Sequence, residues 1–176
     1  EAAREFRRAL AAGADAAEGR SHFGQLLLAM GKYDEAVEQL SEAARRLPAD
    51  FWTVYDLGRA HRGRGELEKA LDLFTRARQI DPGRHEALNA MGAIYFMQGR
   101  YGQAREHFDQ VLEQDESNRE ARINLGLLDL REERFGPAIH HLRRALPAAA
   151  DPSSNKMKSD PVTILKQNRA QYCYYF

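Results

Sequence analysis

Small and large apolar residues recur along this chain in one strict phase. Gly24, Gly58, Gly92 and Gly126 stand 34 residues apart without drift. Ala36, Ala70, Ala104 and Ala138 follow each glycine by 12 positions, and Leu40, Phe74, Phe108 and Leu142 follow by 16. Ala43, Ala77, Val111 and Ala145 come three positions later still. Each glycine lies in a segment that otherwise reads as helix, where it costs about 1 kcal/mol relative to alanine. A cost carried four times in register predicts a packing role. Small residues let two helix axes approach closely, and a large apolar residue one turn away fills the gap that remains. The predicted unit is a helical hairpin.

Counted from Ala17, Phe51, His85 and Arg119, each unit carries a large-small pair: Phe23-Gly24, Leu57-Gly58, Met91-Gly92 and Leu125-Gly126. The turn inside each hairpin reads Gly31-Lys32-Tyr33, Gly65-Glu66-Leu67, Gly99-Arg100-Tyr101 and Glu133-Arg134-Phe135. Units close at Leu47-Pro48, at Asp81-Pro82 and, with Pro replaced, at Asp115-Glu116. A 34-residue helix-turn-helix with these marks resembles the tetratricopeptide repeat family over residues 1 to about 150. The early Trp of that family is absent here, its places holding Arg20, Val54, Leu88 and Arg122. The two charged residues predict helix packing that varies between repeats at that spot.

The resemblance implies an all-α fold, a right-handed α-solenoid of antiparallel helix pairs. It would comprise four full repeats, a preceding half repeat and a C-terminal helix or tail. The expected limits are 1–16 for the second helix of a truncated repeat, then 17–50, 51–84, 85–118 and 119–150 for the repeats, and 151–176 for the tail. Ala2, Phe6 and Ala9 precede Ala36, Leu40 and Ala43 by one period, so the chain is expected to be a fragment of a longer array. An orphan second helix lacks its partner, and Phe6 and Leu10 are expected to find substitute contacts within the chain or across a dimer.

Composition narrows the function classes. Hydrophobic residues make up 43%, and no apolar run approaches the length that spans a bilayer, so a soluble protein is expected. Basic and acidic residues balance at 26 each, which gives no net field toward nucleic acid or an anionic membrane. The lone Cys173 excludes an internal disulfide and is compatible with a reducing compartment, which slightly favours the cytoplasm. Residues 1–150 hold 20 Arg and only Lys32 and Lys69, whereas Lys156, Lys158 and Lys166 face a single Arg169 beyond Asp151. The tail, with an N-cap and Pro at Ser159-Asp160-Pro161 and an apolar face of Val162, Leu165, Tyr172 and Phe176, reads as a short amphipathic helix. It fits a capping helix, a fused foreign segment or a tethered ligand of the array's own groove.

No catalytic constellation, cofactor loop or metal set emerges. His22, His61, His85, His107, His140 and His141 are scattered and form neither a zinc-hydrolase pattern nor a Cys/His ligand set. Arg45-Arg46 and Arg143-Arg144 lie on second helices among acids such as Glu38, Glu42, Asp109 and Glu113, which predicts a charge-laced solvated face rather than a nucleic-acid footprint.

Carried over residue by residue, the resemblance implies a concave surface lined by first helices. Its candidate peptide-binding residues are Trp52, Tyr55, Arg59, Arg62, Asn89, Phe96, Met97, Ile123, Asn124 and Leu127. The relatives' clamp for the terminal carboxylates of chaperones is missing in both registers. One register holds Ser21, Gln25, Asp56, Glu86 and Ala90, the other Tyr55, Arg59, Ala90, Glu120 and Asn124. Acids where lysines should stand repel a carboxylate by on the order of 1 kcal/mol each. The expectation is a non-enzymatic scaffold that binds an apolar or amphipathic segment of a protein partner. Two alternatives stay open: an accessory region that selects substrates for a larger enzyme such as a transferase, and an architectural module that self-assembles through exposed terminal helices or the tail.

Overall fold

In the computed structural model, which describes residues 16–145, the 34-residue phase becomes helix pairs. Among the described residues there are eight helices and no strand. They are α1 (Ala17–Ala29), α2 (Tyr33–Arg46), α3 (Phe51–Gly63), α4 (Leu67–Ile80), α5 (His85–Met97), α6 (Tyr101–Gln114), α7 (Arg119–Arg131) and α8 (Phe135–Ala145). The expected half repeat, with Phe6 and Leu10, and the tail, with Cys173, lie outside the described residues.

Local signals set the helix ends. Asp50 caps α3 by accepting the Thr53 N–H at 2.7 Å, and Asn118 caps α7 by accepting the Ala121 N–H at 3.0 Å. Three hairpin turns need a left-handed residue and use glycine for it: Gly31 at φ 69°, Gly65 at 77° and Gly99 at 73°. In the fourth turn Glu133 takes φ 58°, a conformation that costs an L-residue about 1 kcal/mol.

The helical glycines do what their phase predicts. A Cβ on Gly58 would lie 2.7 Å from Phe74 Cε1, on Gly92 2.5 Å from Phe108 Cε1 and on Gly126 2.6 Å from Leu142 Cγ; one on Gly24 would collide with Leu40. Each first helix therefore presents bare backbone to the large residue 16 positions on, and all four of those residues are buried.

The described residues fall into two compact units that divide between Ala87 and Leu88. In the first, α1 packs on α2, α2 on α3, α3 on α4, and α1 also touches α3. Phe23, Leu27, Leu40, Leu57 and Ala60 form one cluster there, and Phe51, Val54, Ala77 and Ala87 another. The ring of Tyr33 lies against Gly63, where any side chain would collide with it. In the second unit α7 packs on α6 and on α8, around Ala104, Phe108, Leu125 and Leu128.

Packing does vary where the family's Trp is missing. Val54 and Leu88 are fully buried, and Arg20 donates to Gln39 Oε1 at 2.8 Å. Arg122 is buried and donates twice to the carbonyl of Glu116, from Nε at 3.0 Å and Nη2 at 2.6 Å. A guanidinium thus ties down the loop in which Glu116 stands where two other repeats carry Pro48 and Pro82.

Surface charge is locally neutralised on α2. Glu42 accepts from Arg45 at 2.7 and 3.0 Å and from Arg46 at 2.7 Å. The Arg45 hydrogen bond, with help from Arg46, pulls the Glu42 carboxyl down from 4.5 to about 2 against a smaller opposing effect of burial. A folded-state value below the unfolded one means that the pair's contribution is present above pH 4.5 and is lost as the pH falls through about 2. A carboxyl-carbon NMR titration should find Glu42 still ionised at pH 3; a midpoint near 4.5 would show the pair absent in solution.

Candidate functional site

Within the first unit, α1 and α3 lie side by side and are cross-linked by polar side chains. Ser21 and Thr53, both buried, share a hydroxyl hydrogen bond at 2.8 Å. Gln25 Nε2 donates to Asp56 Oδ2 and Arg59 Nη1 to Asp56 Oδ1, each at 2.8 Å. Asp56 is itself buried, so both carboxylate oxygens are consumed internally and its charge is offset by Arg59.

Four of the candidate residues, Trp52, Tyr55, Arg59 and Arg62, fall at spacings of three, four and three along α3, which puts them on one stripe. Trp52 is 39% exposed, Tyr55 is half-buried and Arg59 is exposed. The aromatic end is stiffened by ring contacts. Phe51 meets Trp52 edge-on at 5.1 Å and stacks with Tyr55 at 5.6 Å, while Tyr55 leans on the buried Phe74 at 5.3 Å. Arg84 lays its guanidinium over Trp52 at 4.8 Å and over Phe51 at 5.0 Å. Asp81 holds Arg84 by a 2.9 Å ion pair.

Arg84 is a site residue that sequence reasoning missed. Its signal lies in Asp81-Pro82-Gly83-Arg84, a turn that is informative in the sequence only as the end of a repeat. Arg84 sits between α4 and α5, and only the folded turn carries its side chain back onto the start of α3.

In the second unit the candidates divide. Met97 is 46% exposed, and Phe96 and Leu127 are half-buried. Asn89, Ile123 and Asn124, expected to offer themselves to a ligand, are buried instead. Positions five and six of a first helix point toward the neighbouring helix as much as toward solvent. The Nδ2 of Asn89 reaches Asn118 Oδ1 at 3.5 Å, and its own Oδ1 has no hydrogen-bond partner.

Asn124 is placed differently. With Ala93, Phe96, Phe108 and Leu127 it lines an apolar cleft of about 10 Å³, room for about one water molecule. Its buried Nδ2 has no hydrogen-bond partner. Three candidates, Phe96, Asn124 and Leu127, are thus brought together around one cleft, joined by Phe108, which sequence reasoning assigned only to repeat packing.

The strongest buried charge of this unit is structural. Asp129 on α7 is fully buried and pairs with Arg105 of α6 at 2.7 Å; Arg134 and His141 stand farther off, at 3.7 and 3.8 Å. Burial pushes the His141 imidazole below its ordinary value, against the pull of Asp129. Among the described residues no group of three or more His, Cys, Asp or Glu is arranged to hold a metal ion, and no helix is long and apolar enough to cross a membrane.

Two sequence models, both described as Tetratricopeptide repeat, match residues 22–85 and 83–151. Among solved structures, a thermophilic TPR protein of Thermus thermophilus is similar with a TM-score of 0.72 at 23% identity, covering 98% of this chain and 87% of its own. MamA is similar with a TM-score of 0.70 at 21% identity over 82% of this chain and 84% of its own. The MamA of Desulfovibrio magneticus matches with a TM-score of 0.70 at 18% identity, covering 82% of this chain and 81% of its own. No curated protein sequence matches the chain.

Proposed function

Because the chain belongs to the tetratricopeptide repeat family, whose repeats generally mediate protein–protein interaction without catalysis, we propose that it is a scaffold taking an apolar or amphipathic peptide segment along its first helices. The observation that carries this reading is Trp52. A large aromatic that is 39% exposed is packed against Phe51, Tyr55 and Arg84, contacts that favour one orientation of the ring before any partner arrives. Pre-ordered aromatics are the residues from which binding hot spots are built, since little further entropy is lost on contact.

The cleft at Phe96, Asn124 and Leu127 supports the same reading in the second unit. The Asn124 Nδ2 is buried there without an acceptor, so a ligand backbone carbonyl would reach it only once Phe96 or Leu127 moved aside. The cleft is narrow, and a ligand side chain there would have to displace Phe96 or Leu127, both half-buried.

The test is a selection of peptides on the whole protein, followed by calorimetric titration of the Trp52→Ala variant. Its affinity for the selected peptides should fall about tenfold to thirtyfold. Its melting temperature should change little, because the ring is partly exposed and the buried Phe51 and Tyr55–Phe74 contacts remain. Unchanged affinity would remove Trp52 from the site.

A further inference from the structure

The α3 stripe is chemically graded, and the gradient names a partner. We propose that it selects a segment in polyproline II conformation in which a bulky apolar side chain and an Asp or Glu stand three residues apart. This rests on the reading of the first helices as the peptide-binding surface and adds the sequence class of the peptide.

Trp52 and Arg59 are seven residues apart on one helix face, about 10.5 Å along the axis. Three residues of polyproline II chain span about 9 Å and, at three residues per turn, return the side chain to the same face. An apolar side chain set against Trp52 therefore brings the third residue onward to Arg59, and Arg62 lies about one turn farther along the same stripe.

Arg59 is equipped to receive that residue. A guanidinium has five N–H donors, and the ion pair with Asp56 engages Nη1 only, while the side chain is 44% exposed. The pair fixes the guanidinium in place and leaves a charge-assisted donor set facing outward. Asp56 does not repel an incoming carboxylate strongly, because it is buried and bonded on both oxygens. Arg84 adds positive charge at the Trp52 end, itself balanced by Asp81, and Glu18 on α1 is an exposed acid among the first-helix positions of this unit. With Glu86 at the start of α5 also in this unit, positive and negative groups around the stripe balance, so the selection rests on the outward donors of Arg59 and not on a net field.

The experiment is a selection of twelve-residue peptides from a random library displayed against the whole protein. Binding of individual peptides is then read from Trp52 fluorescence, which reports locally because the sequence has a single Trp. The enriched peptides should carry an acidic residue three positions from an apolar one, in either order. Replacing that acid by its amide should weaken binding at least tenfold to the native protein. It should have almost no effect on the Arg59→Gln variant, in which a neutral donor still serves Asp56 and the fold is checked by its melting curve. Binding should also weaken as salt rises.

Enriched peptides that depend on Trp52 but carry no acid at that spacing would overturn this inference alone. So would an acid-to-amide effect that persists undiminished in Arg59→Gln. A library yielding no peptide that depends on Trp52 would overturn both it and the reading on which it rests.

Discussion

Replacing Arg105 by methionine is expected to lower the stability of the protein by about 3 kcal/mol. Asp129 has no exposed surface, and among the described residues Arg105 is the one partner of its carboxylate at hydrogen-bonding distance, 2.7 Å. Arg134 at 3.7 Å and His141 at 3.8 Å are too distant to take over its hydrogen bonding, and Asp129 Oδ2 already has no hydrogen-bond partner. Methionine keeps the aliphatic stem and its packing, so what is lost is the guanidinium, with its bond to Asp129 and its 2.6 Å bond to the partly exposed Glu132. Breaking a buried pair is costly because the remaining ion is stranded in a medium that solvates it poorly. Urea denaturation should show the fall in midpoint. The double variant with Asp129→Asn should recover most of it, since an amide is far cheaper to bury than a carboxylate. A single variant as stable as the native protein would show that water reaches Asp129.

Gly58→Leu is expected to cost about 3 kcal/mol, at the upper end of what overpacking costs. Its first atom alone would stand 2.7 and 2.9 Å from Phe74 ring carbons. Phe74 cannot retreat, because it is fully buried and lies against Tyr55 at 5.3 Å. Helix propensity favours leucine over glycine by close to 1 kcal/mol, so the steric term must exceed that before any loss is seen. Gly102→Ala is the control. It lies in α6 with open space where its Cβ would be, and should gain up to about 1 kcal/mol. Opposite signs in thermal melts at these two glycines would establish that contact, and not conformational freedom, keeps glycine at position 58. A Gly58→Leu protein with unchanged melting would refute the close approach of α3 and α4.

Much of this architecture was legible beforehand because a repeat reports its own packing. Gly58 and Phe74 are informative singly only as a helix breaker and an apolar residue, but recurrence at the same offset in four units marks them as contact partners. The candidate surface was less legible. Trp52, Tyr55 and Arg59 do share a stripe, since helical periodicity alone decides that. Asn89 and Asn124 stand one residue apart in repeat position, and periodicity could not say that both would be buried. Burial depends on how closely the neighbouring helix approaches.

The order of the helices, their turns, the glycine–aromatic pairs and the all-α class were determined by the sequence itself. Each is a local propensity or a contact at fixed separation within one hairpin, repeated often enough to be unambiguous. Only the tertiary structure decided which charges are neutralised and which face outward. It placed Arg84 over Trp52, turned Asp56 inward between Gln25 and Arg59, buried Asp129 against Arg105 and gave Arg122 the carbonyl of Glu116. Long polar side chains reach several angstroms from their backbone and take whichever partner the neighbouring element brings within hydrogen-bonding range. No period in the chain encodes that distance.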